Sequence, residues 1–62
     1  MCEANVYLID ESGEEKLFLE FVDIIVPEED ELVLENIFGE RKIVKAKIKE
    51  MTLVNHRIVL QK

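Results

Sequence analysis

The chain has 62 residues, of which 48% are hydrophobic, and 14 acids against 8 bases give it a net charge of −6. That length holds one domain, residues 1–62, which buries only about 60% of its unfolded surface, and the apolar share is too large for a disordered tail. The acid excess disfavours binding to a phosphate backbone; no apolar run nears the roughly 20 residues that cross a bilayer, no cleavable signal is visible, and the cytoplasm is the expected compartment.

The pattern is β throughout. Ala4, Val6 and Leu8 alternate with Asn5, Tyr7 and Ile9, which predicts a first strand. Asp10-Glu11-Ser12-Gly13 reads as a turn, with Gly13 supplying the positive φ other residues resist. A second strand is expected from about Glu15 to Phe21. Val22 to Val26 forms a short β-branched run, and Pro27, which lacks a ladder donor, ends it. Glu28-Glu29-Asp30 is a solvated turn, Leu32-Val33-Leu34 begins another strand, and Phe38-Gly39-Glu40 marks a reversal.

From Lys42 to Lys49 the alternation is clearest. Val44, Ala46 and Ile48 share one face, and Lys45, Lys47 and Lys49 the other, as in a strand with one dry and one wet side. Thr52-Leu53-Val54 and Ile58-Val59-Leu60 flank Asn55-His56-Arg57 and predict a hairpin. Six or seven short strands make a meander, which must roll up or leave its edges open. The expected fold is all-β: a small single-domain meander rolled into a partly open barrel.

Chemistry is concentrated at one residue. Cys2 is the sole cysteine and follows the initiator methionine. Internal disulfides are therefore excluded, and so is a zinc finger with its four spaced ligands. Removal of Met1 would leave an amine and a thiol on one residue, a five-membered chelate to which the Glu3 backbone amide can add a third donor. Thiolate and nitrogen donors select nickel, copper(I) or zinc over magnesium or calcium. A marginal domain without disulfides needs a metal or a partner. One thiol per chain builds a metal site when two copies meet about a twofold axis.

The remaining candidates have plainer readings. His56, the sole histidine, sits in the hairpin turn, where polar residues are ordinary; it becomes a secondary metal ligand only if that tip folds near Cys2. The acid clusters lack the spacing of a calcium loop. The basic strip from Arg41 to Lys49 suits solvent or cross-strand glutamates. It could track a phosphate backbone, but three phenylalanines and one tyrosine leave little for base stacking. No phosphate loop, nucleophile elbow or Cys/His pair at a recognisable spacing is present, so no enzyme is expected.

Met1-Cys2-Glu3-Ala4-Asn5-Val6-Tyr7-Leu8 resembles the start of the CooT family of small nickel-binding proteins. Phe21-Val22-Asp23-Ile24-Ile25-Val26-Pro27, Asn36-Ile37-Phe38-Gly39-Glu40 and Leu53-Val54-Asn55-His56-Arg57-Ile58-Val59-Leu60 extend the resemblance over nearly the whole chain. The Met-Cys start is its specific part. The resemblance implies a homodimer that binds one nickel ion through the cysteine after the initiator methionine, here Cys2. It also implies an accessory, metallochaperone-like role in nickel supply to carbon monoxide dehydrogenase. Some members carry a predicted RNA-binding label.

The expectation is a cytoplasmic homodimer that stores or delivers Ni(II), with Cys2 as ligand and Met1 or Glu3 contributing terminal or backbone nitrogen. Its rivals are a small-barrel RNA-binding module using Arg41 to Lys49 and a protein-interaction domain in which Cys2 is incidental.

Overall fold

The computed structural model describes residues 3–62. These form an all-β fold of six strands: β1 (Ala4–Ile9), β2 (Glu15–Pro27), β3 (Leu32–Asn36), β4 (Arg41–Val44), β5 (Lys47–Thr52) and β6 (Arg57–Gln61). They form one sheet in the order β4-β3-β2-β1-β6-β5. No helix among the described residues is long and apolar enough to cross a membrane.

The first four strands meander as expected. The chain then leaves the β4 edge, and β6 pairs with β1 in parallel, from Asn5↔Arg57 to Ile9↔Gln61. The sheet curls around its core without closing, because its two edges, β4 and β5, follow each other in sequence but are not paired. Arg41 and Lys42 on β4, with Lys47 and Lys49 on β5, place charge on these edges, a common guard against edge-to-edge association.

Three expected boundaries shift. The second strand and the β-branched run are one bent strand, β2. Its first half pairs with β1, from Ile9↔Glu15 to Ala4↔Val22, and its second half with β3, from Val22↔Asn36 to Pro27↔Leu32. The bend lies at Phe21, whose φ of 57° is left-handed. A non-glycine there gave no local signal of a turn. The expected strand from Lys42 to Lys49 is broken at Lys45-Ala46 into β4 and β5. Val44 is buried as the alternation requires, but Ile48 is 41% exposed, since a register shift between Ile48 and Glu50 disturbs the inward face. The hairpin exists, but Leu53 and Val54 belong to its turn.

The core comprises alternate residues of the curled sheet: Val6 on β1, Leu19 and Val22 on β2, Leu32 and Leu34 on β3, and Ile58 and Leu60 on β6. Val6, Leu34 and Leu60 are fully enclosed. Asn36 is the buried polar residue, and its amide is used at both ends. Oδ1 accepts from the Phe38 and Glu40 amides at 3.0 and 2.9 Å, and Nδ2 donates to Glu40 Oε1 at 2.6 Å. That satisfaction is what makes its burial tolerable. It also shapes the β3–β4 turn, where Gly39 has φ 86°.

Candidate functional site at the N-terminal end of the sheet

Met1 and Cys2, the residues expected to hold a metal, lie outside the described residues. The chain is described from Glu3, one residue before β1, so the geometry around Glu3 defines the end of the sheet from which Cys2 departs. Two turns and the β2 bend meet there.

On one side is the β5–β6 turn. The carbonyl of His56 accepts a hydrogen bond from the Asn5 amide at 2.9 Å, and the His56 amide donates to the Leu53 carbonyl at 3.2 Å. The His56 ring turns back onto the N-terminal segment, with Nδ1 3.0 Å from the Glu3 carbonyl oxygen. A carbonyl only accepts, so Nδ1 is the donor in this contact, and Nε2 is the ring nitrogen that points away from it. Cys2, the residue on whose proximity a role for His56 depends, lies outside the described residues, while the hairpin tip folds against Glu3. Sequence could not show this, because the β1–β6 pairing joins the two ends of the chain.

On the other side is the β2 bend. Asn5 Oδ1 accepts from the Phe21 amide at 3.1 Å, and the Phe21 carbonyl accepts from Ile37 at 2.9 Å. The Phe21 ring stands edge-on to Phe38, centroids 5.8 Å apart and planes at 87°, a favoured aromatic geometry. These bonds hold a backbone conformation that a bulky residue rarely adopts. Asn5 links both sides through its backbone and side chain, a role its place in the strand alternation did not signal.

Glu3, Asn5, Phe21, Asn55 and His56 line a shallow concavity of about 180 Å³. Glu3 is half-buried, and its Oε2 is enclosed without a hydrogen-bond partner among the described residues. Buried carboxylate oxygens are normally paired. The described residues contain no ready cluster of three or more metal-ligating side chains. They do place an imidazole and an unpartnered carboxylate oxygen at one end of the sheet. An imidazole nitrogen is a donor suited to borderline divalent metals more than to magnesium or calcium.

The basic strip lies elsewhere. Lys45, Lys47, Lys49 and Lys62 line an open groove of about 490 Å³ beside the sheet opening, together with Asp30. The acidic turn Glu28–Glu31 stands across an adjoining hollow from Lys45 and Lys47. No aromatic side chain lines the groove among the described residues. Lys42 turns away from it, donating to the Phe18 carbonyl at 2.9 Å and standing 4.7 Å from the centre of the Phe18 ring.

Over residues 1–61 the sequence matches the family model of the CO dehydrogenase accessory protein CooT. The chain belongs to the CooT family. A crystal structure described as a CooT from Carboxydothermus hydrogenoformans is 52% identical, covers 98% of this chain and 97% of that one, and superposes with a TM-score of 0.88. No curated protein matches the chain. The family assignment expected from the Met-Cys start and the segments at Phe21, Asn36 and Leu53 therefore holds over almost the full length, as does the all-β fold.

Proposed function

We propose that this protein is a non-catalytic accessory factor in the maturation of carbon monoxide dehydrogenase, working as a cytoplasmic homodimer that carries Ni(II) on Cys2. The family match over residues 1–61 supports the maturation role. The observation that carries the nickel reading is the sheet end around Glu3, where the His56 ring is tied to the Glu3 carbonyl and a Glu3 carboxylate oxygen is enclosed without a partner among the described residues.

Cys2 supplies the thiolate. Nitrogen comes from the amine of Met1, or of Cys2 if Met1 is removed, and from the backbone amide of Glu3. Two copies double this set, so one ion can be shared by equivalent ligands about a twofold axis. A metal that is cargo requires donors that an incoming ligand can displace one at a time, which a site built from one thiolate and terminal or backbone nitrogens per chain would provide.

Native mass spectrometry during a nickel titration tests this on wild type and Cys2→Ser in parallel. The expected result is one nickel per dimer for wild type and loss of tight uptake for Cys2→Ser. Equal uptake by the two proteins would overturn the assignment. The same spectra report whether Met1 is retained.

A further inference from the structure

The two edges of the sheet are joined by two residues and yet stay apart. β4 ends at Val44 and β5 begins at Lys47, so Lys45 and Ala46 alone separate them, but the strands do not pair. β5 is bonded to β6 on one side and, among the described residues, to no strand on the other. Such an edge carries backbone donors and acceptors without a ladder partner.

The groove of about 490 Å³ lies along this edge. It is bordered by five consecutive residues, Lys45 to Lys49, together with Gln61 and Lys62. Successive side chains of a strand point to opposite faces, so a groove bordered by consecutive residues follows the backbone and not a single face. Its apolar surface comes from Ala46 and Ile48, which also border the adjoining hollow. Four of the chain's eight bases lie on it against one acid, Asp30, the reverse of the balance in the whole chain. The ion pairs among the described residues, Lys16 with Glu14 and Arg57 with Glu15, use none of these four lysines. The groove is also remote from Glu3 and His56. Lys47 pairs with Gln61, and Gln61 with Ile9, at the far end of β1.

We propose that this edge takes an extended acidic segment of a partner protein as an added strand on β5. The free edge supplies main-chain hydrogen bonds that another peptide returns in kind. The lysines supply the choice of strand. They repel the β5 edge of a second copy and attract a strand that bears Asp or Glu. Carboxylates opposite Lys47 and Lys49 can alternate with an apolar residue opposite Ile48, so each face of the added strand meets a matching neighbour. At about 3.3 Å per residue, β5 offers an edge about 20 Å long. The acidic turn Glu28–Glu31 across the hollow favours the same occupant. It repels a polyphosphate, charged at every unit, more than a strand whose carboxylates all face the lysines. No aromatic side chain borders the groove among the described residues, so a nucleic acid finds no stacking platform there.

Fluorescence anisotropy tests this at low salt on the full chain, with a labelled, end-capped peptide of alternating Asp and Val long enough to span β5. Binding should saturate and should weaken as salt is added. Lys47→Glu and Lys49→Glu should each weaken it at least tenfold. Arg41→Glu makes the same change of charge on the β4 edge and should leave affinity within twofold. Circular dichroism confirms that each variant is folded. A peptide of the same sequence with N-methyl groups on alternate residues keeps the charge and loses ladder donors, and it should bind at least tenfold more weakly. Amide proton exchange should slow along β5 when the unmodified peptide is bound. Absence of saturable binding, equal binding of the N-methylated peptide, or equal weakening by Arg41→Glu would overturn the proposal. Tighter binding of a single-stranded oligouridylate than of the peptide would also overturn it and assign the groove to nucleic acid.

Discussion

Phe21 and His56 share an uncommon property: each is a bulky residue with φ above 50°, and each stands beside the N-terminal segment. Such conformations cost about 1–2 kcal/mol and persist where surrounding bonds over-determine them. Asn5 supplies those bonds on both sides. Asn36 does comparable work one turn away, and its removal gives the cleanest residue-scale test. Asn36→Ala leaves the Phe38 and Glu40 amides without their acceptor in a buried place, so it should destabilise the protein by about 1–3 kcal/mol in denaturant unfolding. Asp10 offers a pH test. Its Oδ1 accepts from Ser12 Oγ at 2.6 Å and from the Ser12 and Glu14 amides. The Ser12 hydroxyl first, then the Glu14 amide, hold its carboxyl below the ordinary value of 3.8. A lowered folded-state value means the contribution is full above the unfolded value and is lost as pH falls through the folded one. Asp10→Ala should therefore lose stability at neutral pH and show a shallower fall between neutral pH and strong acid. A wild-type acid limb in that variant would refute this. The strand alternation, Gly13 and the turn acids made much of this local structure legible in the sequence. The left-handed residues were not, because neither is Gly or Asn.

At the scale of elements, β1, β3 and the β5–β6 hairpin follow from alternation and turn chemistry. β2 does not, because the bend at Phe21 is imposed by long-range partners, Asn5 and Ile37, and leaves the backbone continuous through residues that resemble two strands. The break at Lys45-Ala46 was hidden for the converse reason: a perfect alternation of lysines and apolar residues runs across it. The same limit applies to the site. Cys2 is a candidate ligand by its type and position alone and lies outside the described residues, whereas the approach of His56 to Glu3 depends on the parallel pairing of the first and last strands. Leu34 shows how much rests on such pairings. It is fully enclosed and packs with residues of β1, β2 and β6. Leu34→Ala should cost about 2–5 kcal/mol, enough to unfold much of a domain this small. Thermal melting by circular dichroism checks this, and a midpoint within a few degrees of wild type would contradict it.

For the whole molecule, the described residues place eleven large apolar side chains on the surface, as many as all the apolar residues of the core, Ala4 included. An isolated 62-residue domain is marginal on its own. Under the proposed homodimer, thermal midpoints should rise with protein concentration, and a midpoint independent of concentration would count against it.

The parallel pairing of β1 with β6 has a consequence for biogenesis. Val59 and Leu60, two residues of the interior, belong to β6, the sixth strand in chain order, and one edge of β1 has no partner until they arrive. A nascent chain that has not yet delivered β6 therefore exposes a half-built interior.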